Sequence, residues 1–133
     1  MLRISTKVDY AIIMLRELAL HAAAKTPVSL RSIARDNHLP YAYTMRIATD
    51  LRKSGLIDSF EGQNGGFVLV RKPKNISITH ITNAVERKKK LVRCLNDHNR
   101  CTLRSHCSMT PHWLIIQSRL NRMLADITLA DFI

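Results

Sequence analysis

The chain has 133 residues and a mass of 15.2 kDa, which suits one domain and leaves little room for a second. Hydrophobic residues make up 46% of the chain, and its four glycines and four prolines are too few for a disordered, collagen-like or low-complexity protein. Lys and Arg number 21 against 10 Asp and Glu, and this net charge of +11 predicts a polyanionic partner, nucleic acid in preference to an anionic membrane surface.

The first predicted element is an amphipathic helix from about Ser5 to Ala24. Apolar residues recur along it at steps of three and four, at Val8, Ala11, Ile12, Leu15, Leu18 and Ala19. Its most apolar stretch, Tyr10 to Leu20, contains Arg16 and Glu17 and is shorter than the ~20 residues that cross a bilayer. The sequence therefore predicts no transmembrane span, and the charges in and before this stretch also argue against a signal peptide.

Two more helices are predicted before the middle of the chain. Ser29 is a suitable N-cap for a short second helix, and a third runs from Tyr41 to Ser54, where Gly55 favours a helix end. The predicted inward face of the third helix consists of Thr44, Ile47, Ala48 and Leu51. Its opposite face consists of Ala42, Met45, Arg46, Thr49 and Lys53.

A β-hairpin is predicted after the third helix. Two strand-like runs, Ile57 to Glu61 and Phe67 to Arg71, flank Asn64-Gly65, and that dipeptide is a strong signal for a hairpin turn. Three helices followed by a hairpin is the order of a winged helix-turn-helix DNA-binding region, which we assign to residues 1–74. On pattern alone, a generic small α+β domain is the alternative.

The second half of the chain follows a different plan. A helix is predicted from Ser77 to about Lys89, and the polar stretch from Arg93 to Met109 has neither helical nor strand periodicity. A long helix is predicted from Pro111 to Ile127, with an apolar seam at Trp113, Ile116, Leu120, Met123 and Ile127. Such a seam packs against a symmetry mate or against the helix's own domain, and its period does not separate the two.

The predicted fold is therefore mainly α-helical with a small β-hairpin wing. The winged helix-turn-helix over residues 1–74 is joined to a cysteine-containing loop (residues 94–107) and a long C-terminal dimerisation helix (residues 111–127). We expect all three parts to pack as one compact domain.

The only cysteines are Cys94, Cys101 and Cys107. An odd, clustered set in a chain without a secretion signal predicts reduced thiols in the cytoplasm rather than a disulfide framework. Zinc sites bring their cysteines in pairs two to four residues apart, and that spacing is absent here. Longer, uneven spacing suits an iron–sulfur cluster, and basic neighbours such as Arg93 and Arg104 would offset its negative charge.

Candidate DNA contacts lie on the predicted helix-turn-helix and wing. The third helix would enter a major groove, and Arg46 lies in the N-terminal half of its outward face. A bidentate arginine–guanine contact supplies ~1–3 kcal/mol of base discrimination. The predicted contacts are Arg31, Arg35, Tyr43, Met45, Arg46, Arg52, Lys53, Gln63 and Asn64. No nucleophile–base pair, phosphate-binding loop or acid pair is readable, so we expect no enzyme activity.

Several segments together resemble the family of winged-helix iron–sulfur repressors that includes NsrR and IscR. They are Arg3 to Ala11 in the first helix, Leu51 to Leu56 with Asn64-Gly65-Gly66 at the wing, the three spaced cysteines, and Ile127 to Asp131 near the end. The resemblance implies a homodimeric transcriptional repressor that binds a palindromic operator in double-stranded DNA. It also implies a cluster at the dimer interface, held by the three cysteines.

The fourth cluster ligand separates the branches of this family. In the IscR branch a histidine stands three residues after the last cysteine, where this chain has Thr110, and His112 is displaced from that position. In the NsrR branch the ligand is an aspartate in the first helix of the other subunit, and Asp9 matches it. The resemblance therefore implies an NsrR-like repressor that senses nitric oxide through a 4Fe–4S cluster, with His98 and His106 as lesser ligand candidates.

Other interpretations stay open at this point. The cluster could instead be 2Fe–2S, and the signal could be iron or cluster supply, as in an IscR-like regulator. A small iron–sulfur electron carrier and a structural zinc module are the alternatives of other classes. The family's minor-groove arginine in the wing corresponds to Glu61 here, and an acidic side chain predicts weak contact with a narrow, negative groove.

Overall fold

The structure is a computed structural model that describes residues 3–24, 26–87, 90–96 and 101–133. In chain order its main elements are α1 (Thr6–His21), α2 (Leu30–Asp36), α3 (Tyr41–Lys53), β1 (Ile57–Phe60), β2 (Gly66–Leu69), α4 (Ile78–Val85), α5 (Arg93–Asn96) and α6 (Thr110–Asp126). Short 3-10 turns occupy Ala22–Ala24, Pro73–Asn75, Arg104–His106 and Leu129–Phe132. The predicted fold class, mainly α-helical with a small hairpin, is confirmed.

Helix α1 lies at the centre of the hydrophobic core. Ser5 caps its N-terminus, since the Ser5 hydroxyl accepts a hydrogen bond from the backbone N–H of Val8. The buried side chains of α1 follow the predicted helical spacing: Val8, Ala11, Met14, Leu15 and Leu18. They pack with apolar residues from both halves of the chain, among them Ile47 of α3, Ile81 of α4 and Leu129 near the C-terminus.

Helices α2 and α3 form the helix-turn-helix. The predicted inward face of α3 is confirmed, because Thr44, Ile47, Ala48 and Leu51 are its buried residues. Thr44 is polar but satisfied, because its hydroxyl donates to the Pro40 carbonyl at 2.8 Å. In the turn between the helices, His38 has φ +55°, a left-handed backbone conformation that residues other than glycine rarely adopt.

The left-handed turn predicts a clear ranking of substitutions at position 38. A β-branched residue is poorly tolerated at positive φ, so His38→Val is expected to lower the free energy of unfolding by ~1–2 kcal/mol. His38→Gly is expected to match or exceed the wild-type stability, because glycine adopts this conformation freely. Urea unfolding followed by circular dichroism measures both variants. Equal stability of the Val variant and the wild type would contradict the strain at this position.

The β-hairpin is joined to the segment that precedes α2. Strands β1 and β2 pair in antiparallel register from Ile57 opposite Leu69 to Phe60 opposite Gly66. Val28 and Phe67 then exchange two backbone hydrogen bonds of 2.9 Å. Gly66 is required at this junction, because a Cβ there would collide with the Val28 carbonyl oxygen. Both strands are shorter than predicted and leave Glu61 and Arg71 outside the sheet.

The elements between α4 and α6 differ from the predictions in two respects. Helix α4 ends at Val85, with Glu86 in an extended conformation, and the predicted end at Lys89 lies outside the described residues. The segment predicted to lack periodic structure contains α5 and a 3-10 turn, so that part of the prediction was wrong. In α5, Leu95 is buried.

Helix α6 packs on its own domain through a face that shares Trp113 and Leu120 with the predicted seam. The half-buried positions are Thr110, Trp113, Gln117, Leu120 and Leu124, and Leu124 contacts the core. Ile116 and Met123 of the predicted seam point outward with 45% and 52% of their surface exposed, so they do not pack on their own domain, and their packing against a symmetry mate stays a prediction. None of the α6 side chains is fully buried in a single chain.

The C-terminal segment is hydrogen-bonded to the backbone around the N-terminus of α4. Ile78 donates its backbone N–H to the Ile127 carbonyl at 2.9 Å, and Leu129 donates to Ile76 at 2.7 Å. Leu129 itself is completely buried. Among the described residues, no helix combines the length and the hydropathy needed to cross a membrane.

Candidate nucleic-acid interface and cysteine segment

The exposed face of α3 gathers the central group of predicted DNA contacts. With its apolar face turned to the core, α3 leaves exposed Ala42, Met45, Arg46, Thr49, Arg52 and Lys53. A shallow cavity of about 420 Å³ separates this face from the hairpin, with Leu30, Ala48 and Phe67 at its apolar floor. Arg52 and Lys53 lie at its edge, so α3 and the wing together present a basic, grooved surface.

The arginines on this surface differ in their surroundings. The Arg35 guanidinium is 2.7 Å from the Asp36 carboxylate, and this hydrogen bond lowers the pKa of Asp36. Arg52 lies 3.6 Å from Asp58 on β1. In the described part of the chain Arg46 has neither a carboxylate partner nor a side-chain hydrogen bond, so its guanidinium is available to a ligand.

The remaining predicted contacts lie at the edges of the surface. Gln63 and Asn64 are exposed at the tip of the hairpin. Tyr43 is half-buried and its ring meets that of Tyr10 edge-on, with 5.8 Å between the centroids, so it also packs α3 against α1.

Two exposed residues of this region, Tyr41 and Thr49, were not among the predicted DNA contacts. Tyr41, the first residue of α3, is 37% exposed, and its ring lies 4.8 Å from the Cζ atom of Arg31 in α2. Its position directly after Pro40, at the start of the helix that would enter a groove, was the available signal. Thr49 lines the cavity beside Met45, and its place on the outward face was visible in the helical spacing.

An ion pair connects the first turn of α1 to the last turn of α3. The Lys7 Nζ lies 2.7 Å from the Asp50 Oδ2, and both side chains are about two-thirds buried by their surroundings. Asp9 follows Lys7 by two residues and is exposed, with no hydrogen bond or ion pair from its side chain to other described residues. Asp9, the candidate ligand, is therefore two residues from a side chain that forms an ion pair with α3, the candidate recognition helix.

The three cysteines are free and half-buried. Cys94 lies in α5, Cys101 precedes the 3-10 turn Arg104–His106, and Cys107 lies between that turn and α6, three residues before Thr110. Within the described residues of one chain, no three His, Cys, Asp or Glu side chains come close enough to hold a metal ion. His98 lies outside the described residues, while His106 and His112 are exposed.

Cys107 has an environment that favours its thiolate. The Thr110 hydroxyl hydrogen-bonds its sulfur, as do the backbone N–H groups of Met109 and Thr110 at the start of α6, and these contacts lower the pKa of Cys107. Because metal ions and clusters bind the thiolate form of cysteine, the lowered pKa makes Cys107 suited to be a ligand.

We expect Thr110→Val to raise the pKa of Cys107, since it removes the strongest of these hydrogen bonds. In the wild type the lowered pKa keeps the thiolate populated as the pH falls below the ordinary value for cysteine. The variant should therefore lose reactivity toward iodoacetamide at a higher pH. The measurement uses chains with Cys94→Ser and Cys101→Ser, and Thr110→Ser serves as the control that keeps the hydroxyl. Identical pH profiles for Val and Ser would contradict the role of Thr110.

Comparison with known proteins agrees with this arrangement. The family model of Rrf2, described as an iron-dependent transcriptional regulator, matches residues 4–133. The structure of CymR, the global cysteine regulator of B. subtilis, superposes with a TM-score of 0.78 at 30% identity and covers 99% of this chain and 96% of that one. IscR of T. potens gives a TM-score of 0.75 at 30% identity, covering 98% and 85%.

A relative identified by its sequence is also a transcriptional regulator. The transcriptional regulator IscR of Vibrio atlanticus (strain LGP32) is 29% identical over 132 residues, which span 98% of this chain and 74% of that protein. These relatives are regulators rather than enzymes, as the sequence predicts. With a winged helix-turn-helix, a basic exposed surface on α3 and the wing, and a family match over nearly its whole length, the chain belongs to the Rrf2 family of transcriptional regulators.

Proposed function

We propose that this regulator is a homodimeric repressor whose operator affinity is controlled by an iron–sulfur cluster that responds to nitric oxide. The observation that carries the proposal is the connection between Asp9, the candidate cluster ligand, and α3. Lys7, two residues before Asp9, contacts Asp50 of α3 at 2.7 Å. A change at the first turn of α1 therefore reaches the recognition helix through a direct contact.

The donor chemistry of the chain fits such a cluster. Cys94, Cys101 and Cys107 would hold it, with the partner subunit's Asp9 as the fourth ligand. All three thiols are free, the thiolate of Cys107 is favoured, and the Asp9 carboxylate is exposed. In the described part of one chain no three donors lie together, so binding of one cluster by all three cysteines would require the cysteine segment (residues 94–107) to change its conformation.

The protein's own residues would convert ligand exchange into a change in DNA affinity. When bound, a 4Fe–4S cluster (or the alternative 2Fe–2S cluster) supplies the iron with which nitric oxide reacts. While Asp9 is held, the first turn of α1 is fixed against the other subunit, and Lys7 holds Asp50 of α3. Release of Asp9 frees this turn and alters the spacing of the two recognition helices, which must match half-sites about one helical turn apart.

Operator binding by protein purified without oxygen tests the proposal. We expect a brown protein with about four irons per chain that loses operator affinity as nitric oxide is titrated in. Asp9→Ala should abolish or blunt this response. Glu17→Ala, which removes a carboxylate about two turns along the same helix, should leave the response unchanged. A protein that stays colourless after cluster reconstitution, or an Asp9→Ala variant with the full response, would refute it.

A second candidate signal is iron supply, favoured by the description of the family as iron-dependent. It predicts that an iron chelator releases the operator at concentrations where nitric oxide has little effect. The same binding assay with both reagents separates the two signals. Either result leaves the DNA-binding role intact, because that role rests on α3 and the wing.

A further inference from the structure

We infer that Tyr41 positions the guanidinium of Arg31 for contact with a DNA phosphate, an inference that rests on the proposed operator binding. Arg31 lies in the first turn of α2, and Tyr41 is the first residue of α3. The Cζ atom of Arg31 lies 4.8 Å from the centroid of the Tyr41 ring. This is the distance of a cation–π contact, and it joins the two helices of the helix-turn-helix at their exposed edge.

Within the described residues, the guanidinium of Arg31 forms no hydrogen bond. Arg35 is 2.7 Å from Asp36, and Arg52 is 3.6 Å from Asp58, so both have carboxylate neighbours. No carboxylate of the described residues lies within 4 Å of the Arg31 nitrogens. The cation–π contact restricts the guanidinium, and its N–H groups remain available to bind a phosphate through two parallel hydrogen bonds.

The position of the pair fits this role. In helix-turn-helix proteins the first helix of the motif crosses the DNA backbone, and the N-terminal residues of the second reach the base edges. Arg31 belongs to the first helix, and Tyr41 begins the second. The guanidinium therefore lies where a phosphate would flank the bases that Met45 and Arg46 face.

The pair of Arg31 and Tyr41 would influence how α3 is placed on the DNA duplex. Phosphate contacts fix the register of a protein on the duplex and carry no base information themselves. Arg31 and Tyr41 would therefore set the depth and position at which the outward face of α3 meets the base pairs. Their loss should weaken binding to all sequences alike and lower its dependence on salt.

The test is a double-mutant cycle on a mixed-sequence DNA duplex, read by fluorescence anisotropy over a range of salt concentrations. Arg31→Ala is expected to weaken binding and to reduce the slope of log affinity against log salt by about 0.9 per subunit. Tyr41→Leu should weaken binding about two- to fivefold per subunit, the range to which one exposed cation–π contact corresponds. Tyr41→Phe keeps the ring and should bind like the wild type. In the Arg31→Ala background, Tyr41→Leu should have no further effect.

Four results would overturn the inference. They are an unchanged salt slope in Arg31→Ala, unchanged binding by Tyr41→Leu, equal losses in Tyr41→Phe and Tyr41→Leu, and a full Tyr41→Leu effect in the Arg31→Ala background. The last two would mean that Tyr41 contacts DNA by itself. Thermal unfolding of each variant identifies losses of affinity that come from misfolding, which is not expected because both side chains are exposed. A wild-type protein without DNA affinity would defeat the proposed function, whereas normal wild-type binding with an unaffected Tyr41→Leu variant defeats this inference alone.

Discussion

Ile116→Glu is expected to convert the protein from a dimer to a monomer and to weaken operator binding by a factor on the order of 100 or more. Helix α6 packs on its own domain through the side that includes Trp113 and Leu124, and Ile116 and Met123 are left about half exposed beside it. Together with Ile115 they form an apolar strip that a second copy would cover. A carboxylate in that interface would lose hydration without gaining a partner.

The measurement pairs light scattering after size exclusion with titration of the operator. Ser118→Glu places the same charge on the opposite side of α6 and should leave the dimer intact, because positions 116 and 118 point in nearly opposite directions on a helix. Operator affinity falls in the monomer because each half-site must then be bound independently. A dimeric Ile116→Glu variant with normal affinity would rule out this face as the interface.

Arg46→Ala is expected to weaken specific binding by ~1–3 kcal/mol and to relax the preference at one base pair. Arg46 lies in the N-terminal half of the exposed face of α3, and in the described part of the chain it has no carboxylate partner. Its guanidinium is therefore free to form the two parallel hydrogen bonds that a guanine accepts in the major groove.

Binding to the operator and to duplexes with single base-pair changes distinguishes this role from a simple phosphate contact. Lys53→Ala, at the C-terminal end of the same face, serves as the comparison and should weaken binding to every duplex equally. If Arg46→Ala behaves in the same uniform way, Arg46 contacts phosphate and base reading lies elsewhere on α3.

The helix-turn-helix and the wing could be predicted because their signals are local. The helical spacing of α3 identified its buried face, and Asn64-Gly65 identified the turn of the hairpin. The face of α6 that packs on its own domain could not be predicted in the same way. Ile116 and Gln117 are adjacent in sequence, and a shift of one residue decides which of them lies on that face. Polarity favoured Ile116, yet Gln117 points inward and accepts a hydrogen bond of 2.7 Å from the Leu91 backbone.

The functional surface was predictable only as a set of exposed residues. Its pairings depend on tertiary packing, as in the contact between Lys7 and Asp50, which are 43 positions apart. The contact between Arg31 and the Tyr41 ring depends on the angle between α2 and α3. That angle in turn depends on the left-handed conformation of His38, at a position where the sequence has no glycine. Short helix α5 escaped prediction because four residues are too few for a period to appear.

Two backbone hydrogen bonds, from Leu129 to Ile76 and from Ile78 to Ile127, affect how freely the cysteine segment can move. These bonds bring the two ends of the region between α4 and the C-terminal turn together, so the cysteine segment belongs to a loop that is already closed. Most of the entropy lost in joining distant parts of a chain is therefore lost when the domain folds. The segment can change its conformation around a ligand as a tethered loop, without unfolding the core that carries α3.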